Sequence, residues 1–192
     1  MELLIASHNK GKIKEFKELL EPLGYSVLSA HDYDISMDDV VEDKLTFREN
    51  ARIKSKYVSE KTGLTVISDD SGLVIDALPD ILGVKSARFM GEDTPYEIKN
   101  KAILQRLECE SVRTAHFHCA ISLYGPDCDE VFEGVVMGEI GPISDSGTGF
   151  GYDPIFYPDG YNQSFAQMTR EAKNKISHRG QAVQLLLNYL RG

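Results

Sequence analysis

Two adjacent carboxylates, Asp69 and Asp70, lie within Ser68-Asp69-Asp70-Ser71-Gly72, between the apolar runs Leu64-Thr65-Val66-Ile67 and Leu73-Val74-Ile75. The flanking runs are rich in β-branched residues and of strand length, so they read as buried strands, with Gly72 supplying permissive backbone between them. Ionised groups pinned between hydrophobic strands are costly unless a cation meets them. A divalent metal ion, or lysines from elsewhere in the chain, would meet that cost and equip the pair for acid–base or metal chemistry. The same residues also make a solvated Asp-Asp-Ser-Gly turn, and the stretch alone leaves both readings open.

Cations that could answer these acids are scattered. Ser7-His8-Asn9-Lys10-Gly11-Lys12 follows a short apolar opening and leads into Ile13, Phe16, Leu19 and Leu20 at helical spacing. A strand, a Gly/Lys loop and a helix start form a ready anion site, because N–H groups at the helix N-terminus point outward. The stretch is not a nucleotide P-loop: the first Gly is missing, and Ile13 stands where Ser or Thr should follow the Lys. Lys12 also reads as a plain surface lysine. Lys54 falls two turns into the helix opened by Thr46-Phe47-Arg48-Glu49, a capping box. Glu42, just before that helix, could reach Asp70 as a loop ligand; most other acids between His31 and Asp43 read as a solvated loop.

Toward the C-terminus, Gly147-Thr148-Gly149-Phe150-Gly151-Tyr152-Asp153-Pro154 is a glycine-dense loop with aromatics and an acid. Glycines allow close approach of a ligand and an aromatic ring offers a stacking face, although Phe150 could equally be tucked into a core. Ser177 is a candidate N-cap for a last helix carrying Val183, Leu186, Leu187 and Leu190, which sets His178 and Arg179 in its first turn. The helix dipole disfavours a cation there, so Arg179 calls for an anionic or carbonyl-bearing partner. His116 and His118 alternate on one strand face beside Cys119, a pattern more often structural than metal-binding when two further ligands are lacking.

The elements that must position these groups are legible in outline. Strands are expected over 2–6, 25–29, 64–68 and 73–76, and a hairpin over 114–124 and 130–140 with its turn at Gly125-Pro126-Asp127. Helices are expected from Ile13 to Pro22, from Thr46 to about Lys61 with Gly63 as stop, from Thr94 to Leu107, over 169–176, and from Ser177 onward. In the third of these, Thr94-Pro95-Tyr96-Glu97 reads as a capping box with Pro at the first helical position.

Composition narrows the function classes. The 192 residues suffice for one large domain or two intimate lobes, and 42% hydrophobic with 27% charged residues is ordinary for a soluble globular chain. A net charge of −9 argues against a general nucleic-acid binder and leaves room for a small anionic ligand held by local lysines. No run of about 18 apolar residues exists, so no membrane span is expected. The opening reads as a strand and not as a signal peptide. Cys109, Cys119 and Cys128 are odd in number and not paired like metal ligands, so no disulfide framework is expected. These features point to the cytoplasm. No Pro/Gly/Ser linker or internal repeat divides residues 1–192, so one large domain and two intimate lobes both stay open.

Six stretches together resemble the inosine triphosphatase family, pyrophosphatases of non-standard purine nucleoside triphosphates. They are Ser7-His8-Asn9-Lys10-Gly11-Lys12, Leu45-Thr46-Phe47-Arg48-Glu49-Asn50-Ala51, Ser68-Asp69-Asp70-Ser71-Gly72-Leu73, Ser86-Ala87-Arg88, Gly149-Phe150-Gly151-Tyr152-Asp153-Pro154-Ile155-Phe156 and Ile176-Ser177-His178-Arg179-Gly180. Each is weak alone; in the family's order over the whole chain they are specific. The resemblance implies an α/β fold with a long, twisted mixed β-sheet, flanking helices and two lobes around a central substrate cleft. It also implies a Mg²⁺-dependent homodimer that cleaves ITP, dITP or XTP to the monophosphate and pyrophosphate. By the same resemblance Asp70 orients or deprotonates the attacking water, Glu42 and Asp70 hold the metal, and Lys12, Lys54 and Lys173 clamp the triphosphate. The N–H groups of Ser7, His8, Asn9, Lys10, Gly11, Lys12 and Ser71 are expected to assist that clamp. Phe150, Gly151, Tyr152, Asp153, Lys173, His178 and Arg179 are expected to bind the base, with donors suited to a 6-oxo group and Asp153 accepting from N1–H or ordering the surroundings.

Overall fold

A computed structural model of the chain describes residues 2–7, 9–144 and 150–192. Its strands are β1 (Glu2–Ile5), β2 (Ser26–Ser29), β3 (Val66–Ile75), β4 (Thr114–Gly125), β5 (Cys128–Ile140) and β6 (Phe156–Pro158). They form one open sheet in the order β2-β1-β3-β4-β5-β6. β1 runs parallel to both β2 and β3, with Leu4 opposite Leu28 and Ile5 opposite Ile67. β5 and β6 are antiparallel, Glu139 facing Tyr157. Beside β3 and β4, the Asp76 N–H donates to the Thr114 carbonyl at 3.1 Å while Gly125 lies against Thr65, so these two strands also run antiparallel. The sheet is therefore mixed, as expected. Its flanking helices are α1 (Lys10–Leu20), α2 (Phe47–Thr62), α3 (Tyr96–Arg106), α4 (Arg170–Ile176) and α5 (His178–Arg191).

The chain divides into two compact units. The first comprises Met1–Asp70, Cys119–Gly134 and Arg179–Gly192. Strand residues alternate between faces, and the first unit uses both. Leu3, Ile5, Ile67, Cys119 and Ile121 pack with Phe16 and Leu20 of α1 and with Val183, Leu186 and Leu187 of α5. Their neighbours Leu4, Ala6 and Val66 pack instead with Val58 of α2, Ala30 and Met37. The second unit comprises Ser71–His118 and Val135–His178. Its core joins Leu73, Ile75, Ala115 and Phe117 to Ile103 and Leu107 of α3 and to Phe156 and Phe165. Phe117 meets Phe156 edge-on at 4.8 Å between ring centroids. All three cysteines are free thiols, and no helix among the described residues is long and apolar enough to cross a membrane.

Four local expectations change. Ser68–Gly72 is neither a turn nor a break: β3 runs through it without interruption. The chain stays extended because cations meet the buried acids, as described below. α1 starts at Lys10, three residues earlier than its apolar spacing suggests, because the Asn9 side chain caps it. The box at Thr94 does not form. The Thr94 hydroxyl donates to the Met90 carbonyl at 2.6 Å, and Pro95 holds the cap position without a side-chain bond. Finally, Phe156–Pro158 forms a short edge strand that its three residues could not signal. Thr46 does cap its helix: its Oγ1 accepts from the Glu49 N–H at 3.2 Å and its hydroxyl donates to the Glu49 carboxylate at 2.7 Å, and Gly63 closes α2 at φ 70°.

Candidate functional site

In the first unit the acids and cations converge on β3. Consecutive side chains of a strand point to opposite faces, so Asp69 and Asp70 are served by different helices. Asp69 shares the face of Ile67. Its carboxylate, with no side-chain exposure, accepts from Lys12 Nζ of α1 at 3.2 Å and from Arg179 Nη2 of α5 at 3.0 Å. The other arm of the Arg179 guanidinium binds Glu15 of α1. Lys12 and Glu15 stand three residues apart, hence on one helix face. Ser68 and Asp70 share the α2 face, where the Ser68 hydroxyl donates to the Ala51 carbonyl. Lys54 of α2, itself buried, donates to Glu42 Oε2 at 2.6 Å.

Electrostatics distinguish the two acids further. Burial raises the Asp70 carboxyl above its ordinary value, Lys54 and Lys12 partly offset this, and the charges of Glu42 and Asp69 add to the rise. Burial opposes the Lys12 ammonium, but the Asp69 and Asp70 carboxylates outweigh it and hold its pKa above the usual lysine value. Burial pushes the Arg179 guanidinium down to about 10, which still leaves it cationic at neutral pH.

Among the described residues no three His, Cys, Asp or Glu side chains gather as an all-protein metal cage. A Mg²⁺ ion does not require one, since it commonly takes one or two carboxylates and completes its shell with water and phosphate. Glu42 and Asp70 fit that donor set. Their oxygens are hard ligands, and a cation would relieve the burial and like-charge repulsion that raise Asp70. Asp43, the neighbour of Glu42, instead pairs with Lys44 at 2.6 Å on the exposed surface.

The loop before α1 is more occupied than its sequence suggests. Asn9 Oδ1 accepts from the N–H groups of Gly11 and Lys12 at 3.0 and 3.1 Å, and Ser7 Oγ accepts from the Asn9 N–H at 3.2 Å. Three of the N–H groups expected to face an anion are thus engaged by caps. Lys10 is exposed, and His8 lies outside the described residues.

The remaining expected binders fall in the second unit, which Ser71 opens. Asp153 Oδ2 accepts from the Phe150 N–H at 2.8 Å and from Lys173 Nζ of α4 at 2.7 Å, so this acid orders its own loop. Phe150 keeps 38% of its surface exposed, which rejects the core reading of its ring. Tyr152 is buried, and its hydroxyl donates to the Ser86 carbonyl at 2.6 Å. Gly151 adopts φ 68°, a conformation that favours glycine. His178 stacks on Phe117 with ring centroids 4.7 Å apart and planes 9° from parallel. Gly147, Thr148 and Gly149 lie outside the described residues. His116 and His118 are half-buried on one face of β4, and burial lowers the His116 imidazole.

Against known proteins, residues 3–189 match the model of the Ham1 family. The chain belongs to the Ham1 family. It is 43% identical over 189 residues to the dITP/XTP pyrophosphatase of Zymomonas mobilis, covering 96% of this chain and 90% of that one. With the dITP/XTP pyrophosphatase of Halalkalibacterium halodurans it shares 41% identity over 192 residues, 98% of either chain. The solved Staphylococcus aureus Ham1 protein superposes with a TM-score of 0.88 at 41% identity, covering 100% of this chain and 99% of that one. Family membership agrees with the resemblance carried by the six stretches.

For this Ham1 chain, sequence reasoning overlooked Glu15, which sits 164 residues from Arg179 and carries no motif signal. It also overlooked Tyr96 and Asn100 of α3, which touch the Phe150–Asp153 loop. Their signal was faint: a buried amide within a helix whose apolar spacing is otherwise ordinary.

Proposed function

We propose that this chain hydrolyses the triphosphates of deaminated purines, ITP, dITP and XTP, between the α- and β-phosphates, releasing the monophosphate and pyrophosphate. The observation that carries the reading is the cluster on β3 of the first unit, where Asp70, raised by burial, lies in the field of Lys12, Lys54 and Glu42. The names of the relatives, dITP/XTP pyrophosphatases, support the substrate class.

Water attacking a phosphorus ringed by negative oxygens needs charge neutralisation, a base and a clamp. Asp70 is the base: its oxygens orient the water and take its proton. A carboxylate can serve as base where a metal ion and lysines already activate the water. Glu42 and Asp70 would hold Mg²⁺, which when bound supplies positive charge to phosphate oxygens and acidifies water. Lys12 and Lys54 are the cations that bind the triphosphate in the first unit. Asp69 pairs with Lys12 and Arg179 and fixes where the Lys12 ammonium rests.

In the second unit Phe150 presents a ring face to the purine, and Lys173 and His178 supply donors. A 6-oxo group accepts such donors, whereas a 6-amino group leaves them unpaired, a mismatch that discriminates strongly in a buried site. Arg179 is expected to read the base as well, and its grip on Asp69 and Glu15 supports a second role in charge balance. The reading also carries a homodimer, which sedimentation velocity checks.

The test is pyrophosphate release from ITP, dITP, XTP and the four ordinary ribonucleoside triphosphates, with and without Mg²⁺. Turnover of the three deaminated purines only with Mg²⁺, and a loss of about 10³-fold or more in Asp70→Asn, is the expected result. Equal turnover of all nucleotides, or preference for a pyrimidine, removes the purine assignment; activity that survives in Asp70→Asn removes the mechanism.

A further inference from the structure

Residues 150–153, assigned to the purine, keep a defined shape only where neighbouring groups fix them. α3 provides them. Asn100 is buried, and its Nδ2 donates to the Gly151 carbonyl at 3.2 Å. The Tyr96 ring meets Tyr152 edge-on at 5.1 Å and Phe150 at 5.8 Å with the planes tilted by 54°. A Cβ placed on Gly151 would come within 3.7 Å of the same Tyr96 ring, so the ring lies beside this glycine. Tyr96 is itself held, with Lys99 Nζ 4.9 Å from its ring centroid and donating to the Ala87 carbonyl at 2.7 Å.

Asn100 is an odd choice for packing alone. Asparagine is a poor helix former, and a buried amide costs stability where its hydrogen-bonding capacity is not filled. Asn100 Oδ1 has no hydrogen-bond partner among the described residues. A leucine would serve the core of the second unit better. What asparagine gains is a donor to the carbonyl of Gly151, the residue with the positive φ around which the loop reverses.

We infer that Tyr96 and Asn100 are positioning residues for base selectivity. The amide fixes the Gly151 carbonyl while the Tyr96 ring backs Phe150 and Tyr152, and together they hold the loop so that Phe150 keeps an exposed ring surface. The inference rests on the purine assignment made above and adds two residues to it that do not themselves touch substrate.

Two arms test it. In the kinetic arm, Asn100→Leu raises KM for ITP about 10-fold, leaves kcat within about 2-fold, and lowers the ITP-to-ATP ratio of kcat/KM by about 10-fold. Tyr96→Ala raises KM similarly, Tyr96→Phe restores it, and combining Tyr96→Ala with Phe150→Ala adds little to Phe150→Ala alone, because the ring acts through Phe150. In the structural arm, amide hydrogen exchange of residues 150–153, followed by mass spectrometry without substrate, speeds up in Asn100→Leu while global stability is kept. Variants with lowered thermal stability but wild-type selectivity and exchange overturn the inference. If the wild type releases no pyrophosphate from any purine triphosphate, the proposed function fails, and the exchange arm still decides whether Asn100 positions the loop.

Discussion

One peptide bond separates Asp69 from Asp70, yet the strand turns them toward different helices and different chemistry. Asp69 is balanced by two cations. Asp70 is raised mainly by burial, so between the ordinary carboxylate value and its own the folded state binds more protons than the unfolded chain. Stability therefore falls as pH rises through that window. In metal-free protein Asp70→Asn is expected to be more stable than wild type at pH 7, with the gap closing toward pH 4, as read by urea denaturation. Mg²⁺ at about 100 times its dissociation constant should return about 2.7 kcal/mol to the wild type and nothing to the variant. Asp69 is held instead by ion pairs. Arg179→Met removes a buried cation that pairs with Asp69, costing about 3 kcal/mol. Adding Asp69→Asn to that variant should recover a good part of the loss, and a denaturant series on the two single variants and the double variant measures the coupling.

At the scale of elements, what the sequence showed and what it hid follow from range. Periodicity and caps are local, so the helix from Thr46 to Gly63 and the hairpin around Gly125-Pro126-Asp127 stood out to within a few residues. Ser68–Gly72 did not, because an Asp-Asp-Ser-Gly run has turn chemistry unless distant cations meet it, and those cations belong to α1, α2 and α5. Arg179 was legible as needing an anion; that the anions are Asp69 and Glu15 was not, since they lie 110 and 164 residues away. The phosphate-loop reading of Ser7–Lys12 missed that Asn9 occupies two of its N–H groups. β6 is held by backbone pairing at Gly138, where a Cβ would stand 2.3 Å from the Tyr157 carbonyl oxygen. Gly138→Ala must push two strand backbones apart, and a loss of about 1–3 kcal/mol with a lowered urea midpoint is expected.

Across the whole molecule neither unit is a continuous run of chain: the first is assembled from three segments and the second from two. The last segment of the first unit is α5, which contributes Ala182, Val183, Leu186 and Leu187 to its core. Burying the valine and the two leucines contributes about 1.5–3 kcal/mol each, comparable in sum to the net stability of a domain. A chain ending at His178 is therefore expected to lose cooperative unfolding, as followed by circular dichroism during a thermal scan. Retention of a sharp transition would mean that the first unit stands without α5.

The Asp69–Arg179 bond joins residues that leave the ribosome 110 positions apart. During synthesis Asp69 emerges after Lys12, and the Arg179 guanidinium follows later with α5. The nascent chain thus cannot complete this ion pair until α5 has been made, so the charge balance around Asp69 waits on a segment far downstream of β3.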